Sequence, residues 1–152
     1  LLSRGLGDVY KRQHLSRVGQ DVNHGVLAAE SLVERVKVGN TGDFGTYEPD
    51  EVFGTVFENW KTKDPEAKAV YQYIKDGGEV RNYQILWDKE WNSYPDTKEL
   101  EKNGKKLAYV GLITTGVKDQ MKEIAVVIFG YGTYGDQGYK IYHLFAEQYV
   151  KP

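Results

Sequence analysis

Two apolar runs near the end of the chain stand out in the pattern of hydrophobic and polar residues. The first covers 107–114, a polar connection covers 117–122, and the second run covers 123–129. The second run does not alternate between apolar and polar residues, which predicts a central strand buried on both faces. Because the connection is short, the two runs are expected to pair as antiparallel strands.

Two further segments have the alternation of a strand. Val36-Lys37-Val38 opens one of them, near 36–42, which runs into a glycine-containing stretch. The other, near 80–87, presents different side chains on its two faces. One face carries Val80, Asn82, Gln84 and Leu86, and the other carries Arg81, Tyr83, Ile85 and Trp87.

Three segments have apolar residues at helical spacing, which predicts amphipathic helices near 21–35, 65–76 and 138–150. The second helix starts clearly, with Asp64 as its N-cap and Pro65 at its first position. Together the strands and helices predict an α+β fold in which helices cover an antiparallel sheet.

Composition narrows the range of functions. The chain has 152 residues, enough for a single domain with a buried core, and no cysteine, which rules out disulfides and thiolate chemistry. Its formal net charge of -2 gives no general attraction to nucleic acid or to an anionic membrane. No apolar run approaches the roughly 20 residues needed to span a bilayer, so no membrane segment is predicted.

The first residues differ in pattern from the rest of the chain. Residues 1–13 have no apolar period and resemble translated sequencing-adapter read-through, of the kind found at the broken ends of metagenomic reading frames. We interpret them as a non-native tail. Residues 14–152 are then expected to form a single α+β domain that is the C-terminal fragment of a larger one.

The sequence has no pattern typical of a metal or cofactor site. His14, His24 and His143 have no partners at metal-ligand spacing. The glycine-rich segment 130–138 lacks the lysine and hydroxyl of a phosphate-binding loop, and Asp136 would repel a phosphate there. We therefore predict no metal, no cofactor and no nucleic acid partner.

Four segments follow one another in an order found in a known family. They are Gly39-Asn40-Thr41-Gly42, Tyr109-Val110-Gly111, Ile124 to Phe129, and 130–150. This order resembles the C-terminal part of the transpeptidase domain of penicillin-binding proteins, in the serine D,D-transpeptidase and β-lactamase-like family. In that family a Lys-Thr-Gly strand precedes an aromatic-x-Gly strand, an Ile-Ala-Val-Val type strand, a glycine-rich loop and a last helix.

The resemblance implies that Asn40, Thr41 and Gly42 bind substrate, at a strand edge where a peptide lies alongside. Asn40 stands where the family has lysine, and Asp43 stands where a hydroxyl residue is common. The serine-x-x-lysine nucleophile motif is missing from the chain, so no catalytic residue is assigned and the fragment is expected to be inactive alone. The segment 47–105 would be an insertion.

The resemblance also implies a partner, a location and a strand arrangement. Through the full-length parent, the partner would be a peptidoglycan stem peptide or a β-lactam, in the periplasm or cell envelope. In the sheet, 36–42 should pair beside 107–113, with 124–129 on the far side of that strand.

Two other interpretations stay open. One is a non-enzymatic α+β module that binds a protein or glycan through an aromatic face including Tyr83, Trp87 and Trp91, which requires those rings to be exposed in one patch. The other is a small scaffold subunit in which the segment 130–138 only reverses the chain.

Overall fold

A computed structural model of the chain describes residues 22–47, 55–131 and 138–151. These residues form four helices and a six-stranded antiparallel sheet, so the predicted α+β class is confirmed. None of the helices in this part of the chain is both long enough and apolar enough to cross a bilayer. The tail interpreted at 1–13 lies outside the described residues.

The elements follow one another as short helices and longer strands. The helices are α1 over 22–37, α2 Thr55–Lys63, α3 Pro65–Asp76 and α4 Thr97–Lys102. The strands are β1 Gly45–Thr46, β2 Gly78–Trp87, β3 Ser93–Tyr94, β4 Tyr109–Lys118, β5 Met121–Gly130 and β6 Tyr139–Tyr149. The helices predicted near 21–35 and 65–76 and the strands predicted near 80–87, 107–114 and 123–129 are confirmed.

The sheet has the order β1-β2-β4-β5-β6, and β3 also pairs with β2. A two-residue turn joins β4 to β5, and both of its residues have positive φ, at 51° for Asp119 and 65° for Gln120. Positive φ at both central positions is typical of the turns that match the twist of a tight hairpin. The antiparallel pairing predicted for these two strands is therefore confirmed.

Helices cover both faces of the sheet and give the molecule three layers. On one face, α1 packs with Ile124, Val126 and Ile128 of β5. On the other face, Phe57 of α2 packs with Val127 and Phe129. Neighbouring residues of β5 pack in different cores on the two faces of the sheet, which explains why the strand is an unbroken apolar run.

The main chains of α3 and the sheet come close together where the helix crosses Gly116 of β4. A Cβ atom at this glycine would lie 2.9 Å from the main-chain oxygen of Ile74 and 3.0 Å from its Cα atom. A second close approach lies at Gly77, where a Cβ would be 2.7 Å from the main-chain oxygen of Val117. Glycine at these positions lets the backbones of α3 and β4 meet.

The helix predicted near 138–150 is wrong, because these residues form β6 and pair with β5. In this segment the apolar residues fit both a helical and a two-residue period. The alternation places Leu144 and Ala146 against the α1 core and Phe145 on the opposite side, beside Trp60. Aromatic and β-branched residues favour a strand, and β5 needs a partner along its second edge.

The strand predicted near 36–42 is also wrong. Val36 is buried as the last apolar residue of the α1 stripe, and α1 ends only at residue 37. Gly39 has φ +76° and donates from its N–H to the Val36 oxygen, while Asn40 N–H donates to the Arg35 oxygen over 2.9 Å. These two bonds form a Schellman cap, which ends a helix by satisfying its last carbonyls.

Candidate functional site

A cavity of about 570 Å³ lies between the α2–α3 layer and the start of β2. Its apolar walls come from Phe57, Ile74 and Val80. Cavities that hold small organic molecules have volumes of about 300–1,000 Å³. The volume therefore fits a ligand of that kind.

A chain of hydrogen bonds runs along one wall of the cavity. The Tyr47 hydroxyl lies 2.7 Å from Thr114 Oγ1, and Thr114 Oγ1 donates to Asn82 Oδ1 over 3.2 Å. The pairing of β2 with β4 places Asn82 directly opposite Thr114. Because a threonine hydroxyl has one proton, Tyr47 must be the donor to Thr114. Both hydroxyl protons of this chain are then in use.

The hydroxyl of Tyr71 lacks such a partner. Tyr71 lines the cavity from α3, and its hydroxyl oxygen is inaccessible to solvent and has no hydrogen-bond partner among the described residues. Its ring is held by edge contacts with Phe57 and Trp60, at centroid distances of 5.7 and 5.9 Å. Each buried polar group left without a partner costs about 1–3 kcal/mol.

Burial keeps both phenols of the cavity in their neutral, proton-donating form. Burial raises the pKa of Tyr47 to about 12, although its hydrogen bond with Thr114 acts in the opposite direction. Burial also raises the pKa of Tyr71 well above its ordinary value, and the proximity of Tyr47 adds to this shift. Neither phenol can therefore act as a base near neutral pH.

Positive charge predominates around the cavity. One face of α3 lines the cavity. Its residues are spaced so that they lie on successive turns of the helix, and they are Lys68, Tyr71, Gln72 and Lys75. The described lining has one carboxylate, Glu58, whose Oε1 lies 2.9 Å from the Lys61 ammonium. Within the described part of the chain, Lys68 and Lys75 make no salt bridge.

The chemistry of this lining suits hydrogen bonding and the attraction of negative charge. No histidine lines the cavity in the described ranges, and the Glu58 carboxylate is already paired with Lys61. The remaining polar groups are neutral hydroxyls and two amides, which form hydrogen bonds, and ammonium groups, which attract negative charge.

The structure places Asn40, Thr41 and Gly42 together in the turn between α1 and β1. The main chain of Asn40 accepts a hydrogen bond from Arg35 Nε, and Arg35 also forms an ion pair with Asp43. In the sheet, β4 pairs with β2 and β5 and not with this turn. The strand edge on which the predicted substrate-binding role depends is not formed, and the role itself stays a prediction.

The aromatic residues predicted as a binding face pack in or against the core below α1. Trp87 is buried, and Trp91 stacks on Tyr109 with ring centroids 4.0 Å apart. Tyr83 makes an edge contact with Phe44 at 5.7 Å. Trp87 belongs to the core cluster, and Tyr83 and Trp91 are partly buried against it, so the three rings do not form an exposed patch.

The sequence predictions assigned no function to the residues around the cavity. One signal was available, because Lys68 and Lys75 lie two helical turns apart with Tyr71 between them. A second was Asn82, a polar residue on the strand face that also carries Val80 and Leu86. Neither signal shows by itself that the side chains surround a cavity.

In comparisons with known proteins, no protein-family model, curated protein or solved structure matches this chain. The function is therefore argued from the geometry of the cavity.

Proposed function

We propose that this chain is a non-enzymatic binding module that holds a small organic ligand in the cavity between α2, α3 and the sheet. The observation that carries the proposal is the buried Tyr71 hydroxyl, which lines the cavity without a hydrogen-bond partner among the described residues. A ligand oxygen beside this hydroxyl would supply the missing bond.

The neighbouring polar groups support the same proposal. Tyr47 and Thr114 satisfy each other, so they form a fixed polar part of the lining beside the apolar side chain of Phe57. A few placed polar groups within a mainly apolar cavity give a bound molecule its orientation. The cavity combines these two properties.

The resemblance to penicillin-binding transpeptidases is not the basis of this proposal. It depended on a strand at 36–42 beside β4, and those residues instead complete α1 and form a turn. The resemblance stays a prediction from sequence.

The proposal is tested by titrating the ¹⁵N-labelled chain with neutral aromatic ketones and amides and with aromatic carboxylates, followed by NMR. We expect the largest shifts at the amides of α3, Asn82 and Thr114, because these surround the cavity. Tyr71→Phe should weaken binding about 5- to 10-fold, as expected for the loss of about 1 kcal/mol.

Tyr73→Phe is the matched control. Tyr73 lies on the same helix, but its hydroxyl donates to the Lys118 oxygen over 3.0 Å and it does not line the cavity. Its substitution should leave ligand affinity unchanged. The proposal fails if no compound shifts the cavity amides, or if the two variants bind equally well.

A further inference from the structure

We infer that the ligand of this cavity carries a carboxylate on an apolar body, and that Lys68 and Lys75 attract that carboxylate. This inference rests on the proposed binding function and names the class of molecule bound.

Among the partly or fully buried polar side chains of the lining, the groups that are still unused, at Tyr71 and Asn82, are donors. Thr114 uses its proton on Asn82 Oδ1, and Tyr47 uses its proton on Thr114, so neither hydroxyl has a proton left to give. The proton of Tyr71 is unused, and the amide nitrogen of Asn82 makes no hydrogen bond to any described residue. A ligand that satisfies these two groups must present acceptor oxygens.

The charge around the cavity selects among molecules with acceptor oxygens. Lys68 and Lys75 line it from one face of α3 and have no carboxylate within salt-bridge distance in the described ranges. Lys61 is already paired with Glu58. The chain as a whole has a formal charge of -2, so two unpaired ammonium groups here make the cavity locally positive.

The apolar side chains of the cavity indicate the chemistry of the ligand apart from its carboxylate. Val80, which is 45% exposed, and the partly buried ring of Tyr71 offer hydrocarbon surface, with Phe57 and Ile74 buried behind them. A fully polar anion would leave this surface in contact with water, whereas an aromatic or aliphatic body would cover it. A carboxylate provides two acceptor oxygens and one negative charge on such a body, and it matches the donors, the charge and the walls together.

The test compares three probes that share one apolar body. They are naphthalene-2-carboxylate, the neutral naphthalene-2-carboxamide and the cationic naphthalen-2-ylmethylamine, each titrated into the full chain by NMR. We expect the carboxylate to bind about tenfold more tightly than the carboxamide, since two partly solvated ion pairs contribute about that factor. Added salt should reduce this preference.

Two double variants test whether Lys68 and Lys75 cause the preference for the carboxylate. Lys68→Gln with Lys75→Gln should bring the affinity of the carboxylate close to that of the carboxamide, while carboxamide binding persists. Lys102→Gln with Lys105→Gln changes the net charge equally at exposed positions outside the cavity lining and should keep the preference. All four lysines are exposed, so these variants are expected to fold, and the NMR spectrum of each variant is the check.

The outcomes separate this inference from the proposed function. Equal binding of carboxylate and carboxamide, stronger binding of the amine, or a preference that survives Lys68→Gln with Lys75→Gln would overturn the carboxylate inference and leave cavity binding intact. If none of the three probes shifts the cavity amides, the inference fails together with the proposed function.

Discussion

Tyr71 and Tyr73 lie two residues apart on α3 and have opposite hydrogen-bonding situations. The Tyr73 hydroxyl reaches the main-chain oxygen of Lys118, whereas the Tyr71 hydroxyl is buried without a partner in the described structure. A hydroxyl of the second kind lowers stability in the empty protein, because it has lost its bonds to water. Retaining such a group is consistent with a role in binding.

This contrast gives a stability prediction. Tyr71→Phe should raise the free energy of unfolding of the ligand-free chain by about 1 kcal/mol, because the unpaired hydroxyl is removed. Tyr73→Phe should lower it by about 0.5–1.5 kcal/mol, because a hydrogen bond is lost. Urea denaturation followed by circular dichroism measures both values. Equal destabilisation by the two substitutions would show that the Tyr71 hydroxyl has a partner.

For single residues, the sequence predicted which side of a strand each residue faces better than which distant residue it contacts. The two faces predicted for 80–87 are those observed, with Ile85 and Trp87 in the α1 core and Leu86 in the other. The bond of Tyr47 with Thr114 joins residues 67 positions apart, and no local pattern indicates it. Strand alternation follows from backbone geometry, whereas a long-range contact depends on the complete fold.

At the scale of elements, the two wrong predictions have one cause, since their apolar residues fit both a helical and a two-residue period. Val36 and Val38 fit the alternation of a strand, but Val36 also continues the helical stripe of Ala29, Leu32 and Val33. The segment 138–150 fits a helix equally well until the open edge of β5 is considered. The unbroken apolar run of β5 and the helix α3 with its Asp-Pro start were unambiguous and were predicted correctly.

A pair of like charges between β5 and β6 gives a pH-dependent prediction. Glu123 of β5 lies directly opposite Glu147 of β6, and Glu123 is buried. Burial raises the pKa of Glu123 to about 7, and the charge of Glu147 contributes. Because the folded state holds this proton more tightly than the unfolded state, the pair should reduce stability as pH rises from about 4.5 to about 7.

Glu123→Gln replaces the ionisable group by one that stays neutral. At about pH 8 it should stabilise the chain by up to about 1 kcal/mol, and at about pH 4 by little or nothing. Denaturation of both proteins at the two pH values measures the difference. Glu101→Gln, at an exposed position of α4, is the control and should show no such pH dependence. A gain of equal size at both pH values would contradict the assignment.

At the scale of the whole molecule, the sequence predicted that β5 is covered on both faces, and the three layers confirm it. This arrangement leads to an expected result for neighbouring residues. Val126→Ala, facing α1, and Val127→Ala, facing α2 and α3, should each lower the free energy of unfolding by about 2–3 kcal/mol. A sheet covered on one face would show a large effect for only one of them.

Val38→Ala is the matched control, because Val38 is 76% exposed. Its effect should stay within about 0.5 kcal/mol. Urea denaturation measures all three variants. If only one of Val126→Ala and Val127→Ala lowers the free energy of unfolding, and the other resembles Val38→Ala, one of the helical layers does not pack on the sheet as described.

The contact of α3 with Gly116 determines how the cavity can change its width. At this point main chain meets main chain, so the C-terminal end of α3 is fixed at a minimum distance from β4. A ligand too large for the empty cavity would tilt α3, and the C-terminal end of the helix would stay in place. The displacement would then be greatest at the junction with α2, where Asp64 caps the helix, and smallest at Ile74.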